Sequence, residues 1–187
     1  HAVAVAERRA AVGSAALSGE RSLEVDARSG RRIIQRSLPE LDRLAAGTVI
    51  SFRVRLLTDR HFNMQLARDA AAGLTAGYVG FDAGRILTYR PGSFDEIEIG
   101  RYDHAAGEQE FLVRWSLEPD DDRAQLDVTD PTGTRSFASA KAAINGWNPI
   151  GDPNRPITFD IRNGQHVLLD DLVVACPETI DSSDGPQ

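Results

Sequence analysis

From Arg21 to Ala175 apolar and polar residues alternate along the chain with a period of two. In Ile50-Ser51-Phe52-Arg53-Val54-Arg55-Leu56 four apolar side chains fall on one side and Ser51, Arg53 and Arg55 on the other, the pattern of a strand with one buried face. Phe62-Asn63-Met64-Gln65-Leu66, Phe94 to Ile99, Phe111 to Leu117 and Ile157 to Arg162 repeat it, and Gln125 to Thr129 gives a shorter version. Turn formers separate the runs. Asp82-Ala83-Gly84 predicts a hairpin between Tyr78–Phe81 and Arg85–Tyr89, Pro119–Asp122 and Asp130-Pro131-Thr132-Gly133 bracket a strand, and Asn163-Gly164 predicts a hairpin joining the last two strands. With Arg21–Val25 and Arg32–Gln35 the reading gives about eleven strands. Leu38–Ala46, Asp69–Leu74 and Ala138–Ile144 read as short helical turns. No strand–helix alternation and no internal repeat is visible, so a parallel α/β sheet, a propeller and a solenoid are all disfavoured. The expected fold is all-β, a two-sheet antiparallel sandwich over residues 18–177, with a lead-in at 1–17 and a flexible tail at 178–187.

Composition narrows the function without naming it. The 187 residues carry 28 acids against 21 bases, a net charge of −7, and a nonspecific grip on nucleic acid normally needs a basic field. No apolar run reaches the ~18 residues of a membrane span, so no membrane insertion is expected. The single cysteine, Cys176, excludes an intramolecular disulfide framework and a Cys-rich zinc site. The chain starts at His1 without an initiator Met and shows no signal segment, which reads as a processed or truncated start.

Several stretches carry a family resemblance. Ser18-Gly19-Glu20-Arg21-Ser22-Leu23-Glu24-Val25 is similar to an "S-G-x-x-S-L-x-V" strand, Gly47 to Arg55 to a "G-x-h-x-F-x-h-R" strand (h apolar), and Leu168-Leu169-Asp170-Asp171-Leu172-Val173-Val174 to a closing "h-h-D-D/N-h-x-h" strand. Phe111 to Val128 resembles the paired strands around an acidic turn. Together they resemble the concanavalin A-like jelly-roll superfamily of laminin-G-like modules, carbohydrate-binding modules and glycan-cleaving enzymes, over about residues 14–175. The resemblance implies a jelly roll, a bacterial exported protein placed extracellularly or in the cell envelope, and a carbohydrate partner.

Four constellations carry candidate chemistry. Phe94-Asp95-Glu96-Ile97-Glu98-Ile99-Gly100 sets Glu96 and Glu98 on one side of a strand, and paired carboxylates are what glycoside hydrolysis requires. The stretch is similar to the "E-I-D-I-x-E" strand of laminarinase-type glycosidases, with Glu96 at the nucleophile position and Glu98 at the assisting one. Gly100 or Arg101 stands where the acid/base should be, and the competing reading is a strand whose acids face water. Lyase chemistry needs a His or Tyr base and an Arg or amide to hold a uronate carboxylate; His61, Asn63, Gln65, Tyr78, Tyr89, Arg53 and Arg55 are of the right types, but the alginate-lyase signatures of this fold are absent. Arg53, Arg55, Asn63 and Gln65 on neighbouring outer faces would make a sugar-binding patch of guanidinium and amide groups, with Tyr89, Tyr102 or Trp147 as an aromatic platform. Trp147 lies in the turn-rich segment from Asn145 to Asn154, a loop lectin position or a plug for the core. The resemblance also implies a structural calcium ion held by Asp170 or Asp171 with Glu24 or Asp26, against the alternative of arginine salt bridges; no other cofactor is expected.

The sequence therefore reads as a non-catalytic glycan-binding or surface-interaction module, its ligand site formed by Arg53, Arg55, Asn63, Gln65, Tyr89, Glu96 and Glu98 with Trp147. Its rivals are a polysaccharide-cleaving enzyme working through Glu96 and Glu98, and a structural domain packed against neighbouring domains of a longer chain.

Overall fold

A computed structural model of the chain describes residues 22–36, 47–66, 75, 77–103, 109–118, 123–143 and 157–175. The lead-in, the tail, Cys176, the Trp147 segment and the expected turns at Leu38–Ala46 and Asp69–Leu74 lie outside the described residues. Within them there are twelve strands and no helix: β1 Leu23–Asp26, β2 Arg32–Arg36, β3 Val49–Leu56, β4 Phe62–Leu66, β5 Gly77–Asp82, β6 Arg85–Tyr89, β7 Glu96–Arg101, β8 Gln109–Glu118, β9 Arg123–Thr129, β10 Ser136–Ala143, β11 Ile157–Ile161 and β12 His166–Ala175.

All pairings are antiparallel, in the order β1-β12-β3-β8-β9-β10-β7-β6-β5-β4-β11-β2. The hydrogen-bonded order folds back on itself between β10 and β7, which touch through a single pair, Ala138 with Gly100. Six strands on each side of that fold form two layers, an antiparallel jelly-roll sandwich. The inward residues of the first layer meet those of the second in one core. Phe52 of β3 lies edge-on to Phe159 of β11 with centroids 5.2 Å apart, and Phe81 of β5 sits 5.0 Å from Phe111 of β8. Ile50, Phe52, Val54 and Leu56 are buried while the residues between them stay partly exposed, so strict alternation does mark the one-faced strand. Each buried Phe or Leu here contributes roughly 1.5–3 kcal/mol relative to an exposed one.

Two local expectations are corrected. Within the expected turn at Ala138–Ile144, the described residues are strand: Ser136–Ala143 is β10, paired along its length with β9, and Ile144 lies outside the described residues. Alanine favours a helix in isolation, but the small side chains are needed at the fold between layers, where a Cβ on Gly100 would lie 2.2 Å from the Phe137 carbonyl oxygen and 2.8 Å from Ala138 Cβ. Asn163-Gly164 does turn the chain, with Gln165 N–H donating to Arg162 O and Gly164 at φ 91°. It makes no hairpin, however: β11 pairs with β4 and β2, and β12 with β1 and β3, so the turn carries the chain from one layer to the other. At the Asp170-Asp171 pair both carboxylates stay out of the core, Asp170 half-buried and Asp171 exposed. A bulge between Asp170 and Val173, with Asp171 at φ 50°, inserts one extra residue and restores Leu172 and Val174 to packing on the core.

The Asp82-Ala83-Gly84 hairpin forms as expected, Ala83 and Gly84 both taking positive φ (49° and 77°) and Asp82 pairing with Arg85, the backbone handedness that matches strand twist.

Candidate functional site

The sandwich has two outer faces, and the sequence-derived candidates divide between them. On the layer β1-β12-β3-β8-β9-β10, Arg55 donates to Glu110 at 2.7 Å, while Arg53 lies 3.8 Å from Glu110 and 3.3 Å from Asp171. Arg53 and Arg55 thus belong to an ion-paired lattice on this outer face. They share no surface with Asn63 and Gln65, correcting the expectation of one patch: β3 and β4 are consecutive in the chain but sit in different layers.

Asn63, Gln65, Tyr89, Glu96 and Glu98 do come together, on the outer face of β7-β6-β5-β4-β11-β2. Register builds two rows across these strands. In one, Gln35, Thr158, Gln65 and Tyr78 are successive partners, and Tyr89 is the partner of Glu96; stacking of the Tyr78 and Tyr89 rings, 4.8 Å apart and 18° from parallel, closes the gap between the two halves. In the other, Ile33, Asp160, Asn63, Gly80, Leu87 and Glu98 follow one another from edge to edge. The face is deeply set: Asn63, Tyr78, Leu87, Thr158 and Asp160 point outward yet are buried.

Along β4 a chain of hydrogen bonds fixes the polar groups. Gln65 Nε2 donates to Asn63 Oδ1 at 2.9 Å, and Asn63 Nδ2 contacts His61 Nε2 at 2.8 Å. With its oxygen already accepting from Gln65, Asn63 offers an N–H to the imidazole, so Nε2 is the acceptor and the ring is neutral. Burial, and then the nearby Arg162 charge, depress the His61 pKa below its ordinary 6.5, in keeping with that direction.

The aromatic platform is Tyr78, Tyr89 and Phe94. Phe94 stands edge-on to Tyr89 at 5.7 Å and is 51% exposed. The Tyr78 hydroxyl is buried. Burial first, and the Glu96 carboxylate second, push its pKa well above the usual phenol range, so it remains a protonated donor. The hydroxyl is enclosed rather than open to solvent, and the Glu96 carboxylate acts on it through charge and a hydrogen bond. Tyr102 is placed elsewhere: it packs into the core against Phe81 and Phe111 and bonds Asp59 at 2.7 Å.

Beyond the β4 and β11 ends that carry His61 and Arg162, the face runs into an open depression of about 560 Å³ lined by Arg31, Arg60, His61, Asp82, Arg162 and Asn163. Beneath it Asp160, 1% exposed, accepts two hydrogen bonds from Arg31 (2.7 and 2.6 Å), with Arg162 at 3.9 Å. The sequence reading missed these arginines. The available signal was their placement: Arg31 precedes β2, Arg60 stands two residues before β4 and Arg162 follows β11, and the antiparallel pairing of those strands gathers the three termini.

The acids expected to hold calcium sit with protein partners. Glu24 pairs with His166 at 2.7 Å, Asp26 is forked by Arg28, Asp170 accepts from Ser22 Oγ, and Asp171 lies against Arg53. No group of three or more His, Cys, Asp or Glu side chains converges among the described residues. The proton-transfer candidates are engaged as well. Glu98 is gripped by Arg101 at 2.6 and 3.1 Å, and the His61 Nε2 lone pair is taken by Asn63.

No family model and no curated protein matches this chain. Among solved structures, it is similar to sheep galectin-11 in complex with glycerol (13% identity, TM-score 0.45, 78% of this chain and 98% of that one) and to a galectin of Caenorhabditis elegans (14%, 0.45, 81% and 95%). It is also similar to an alginate lyase from Alteromonas sp. 272 (10%, 0.39, 87% and 90%).

Proposed function

We propose that the protein is a non-catalytic glycan-binding module whose site is the outer face of β7-β6-β5-β4-β11-β2. The observation that carries this reading is the adjoining of two unlike, partly exposed groups on one sheet face: the Gln65 amide, fixed by the buried Asn63, and the Tyr89 ring, stacked on the buried Tyr78. A pyranose ring presents an apolar C–H side and a rim of hydroxyls, and it is recognised by an aromatic plane beside preset donors and acceptors. Binding without cleavage is favoured because Glu98 and His61 already have their reactive atoms in protein hydrogen bonds.

The test is calorimetric titration with a panel of oligosaccharides, alongside assays for reducing ends and for unsaturated products. The reading expects saturable binding lost in Tyr89→Ala and Gln65→Ala, with no product. Turnover abolished by Glu96→Gln would instead establish the cleaving enzyme, and absence of any glycan binding would leave the structural-domain reading.

A further inference from the structure

The chain is acidic overall, with a net charge of −7, yet the depression at the end of this face is walled by three guanidinium groups, those of Arg31, Arg60 and Arg162. Asp82, the carboxylate on its wall, is bound by Arg85 at 2.6 Å. The buried Asp160 lies beneath: it takes two of the five N–H donors of Arg31 and draws Arg162 to 3.9 Å. A buried carboxylate under two guanidiniums holds them in place, and the Arg31 fork keeps its remaining donors. Preset guanidinium groups recognise carboxylate and sulfate oxygens through paired charge-assisted hydrogen bonds. The depression lies at the His61 and Asp82 ends of β4 and β5, and from Tyr78, on which Tyr89 stacks, to Asp82 along β5 is about 14 Å at ~3.4 Å per residue. An oligosaccharide is long enough to span that distance.

We propose that the ligand is an acidic glycan, carrying carboxylate or sulfate groups, that stacks on Tyr89 and places an acid group against Arg60 and Arg162. This inference rests on the glycan-binding reading above. It assigns the arginine-lined depression as the acid-recognition end of that site and sets the substrate class apart from neutral sugars.

The experiment is calorimetry on the whole chain with four probes: neutral oligosaccharides, oligouronates, sulfated oligosaccharides, and sodium sulfate alone. Wild type is compared with Tyr89→Ala and with the double variant Arg60→Ala/Arg162→Ala, which leaves the Arg31–Asp160 bond untouched. Unchanged thermal melting shows that both variants fold. The expected result is preference for an acidic oligosaccharide, weakened at least about tenfold in the double variant and weakened again by salt. The uronate and sulfate arms identify which acid is taken. Equal affinity for neutral and acidic sugars, unchanged in the double variant, overturns the acidic assignment and leaves the glycan reading standing. Binding of sulfate alone as tightly as any oligosaccharide, indifferent to Tyr89→Ala, overturns it as an inorganic-anion site. Absence of binding to every probe overturns both.

Discussion

The Tyr78 hydroxyl occupies the space that a side chain at Gly80 would need: a Cβ there would lie 2.2 Å from Tyr78 Oη and 2.7 Å from its Cζ. Two residues on the same face of β5 are thus matched as one unit, the glycine giving the tyrosine ring room to lie along the strand and stack on Tyr89. Gly80→Ala should displace the ring, cost about 1–3 kcal/mol in urea unfolding and reduce glycan affinity. Tyr78→Phe separates the two effects. Removing the enclosed hydroxyl keeps the ring stacked on Tyr89, so stability should change by no more than about 1 kcal/mol and glycan affinity should hold.

His61 makes the fold sensitive to mild acid. Its folded pKa lies below its ordinary value of 6.5, so below that value the unfolded chain binds the proton more readily than the folded one. The His61 contribution to stability is therefore fully present above pH 6.5 and declines as pH falls toward the folded pKa. Protonation would also reverse the Gln65–Asn63–His61 relay, since Nε2 would then have to donate. Unfolding free energy measured against pH should fall below 6.5 in wild type and fall less in His61→Gln. An NMR titration of the imidazole showing a folded pKa above 6.5 would contradict this.

At the fold between layers Gly100 leaves no room for a side chain, because the nearest atom is the Phe137 backbone oxygen at 2.2 Å, which cannot rotate away as a side chain can. Gly100→Val should destabilise the protein by about 3 kcal/mol, seen as a lowered denaturant midpoint. Gly133→Ala serves as the contrast: nothing lies within 4 Å of its Cβ, but its φ of 73° still imposes strain, expected at about 1 kcal/mol.

Asp160 is the buried member of the Arg31 pair. Asp160→Ala strands a guanidinium over an apolar hole and should cost about 3 kcal/mol. Arg31→Ala leaves the carboxylate buried and without its bidentate partner, so it should cost a similar amount. A double-mutant cycle on denaturant unfolding measures the coupling; strict additivity would contradict the pairing.

How much of this was readable beforehand follows from what alternation encodes. A period of two tells which side of a strand is buried, so β3, β4, β8 and β11 were legible, as was the tight turn at Ala83-Gly84. The same period does not tell which of two outer faces a polar residue joins. Arg53 and Asn63 follow the same rule along consecutive strands, yet they stand on opposite sides of the sandwich. Strand β10 was hidden because alanine suits a helix in isolation, whereas the close approach to Gly100 demands it in a strand. The Arg31–Asp160 pair joins residues 129 apart in sequence, and only strand order brings them together. Asn63, Gln65, Tyr89 and Glu96 were legible as polar or aromatic outward positions; the burial of Tyr78 against Gly80 required the structure.

The most direct measurement is an amide NMR titration of the labelled chain with an oligosaccharide that binds. The account predicts that shift changes concentrate at His61–Gln65, Tyr78–Asp82, Leu87–Glu98 and Thr158–Arg162, the outer face of β7-β6-β5-β4-β11-β2. Changes centred instead on Arg53, Arg55 and Glu110, across the sandwich, would contradict it.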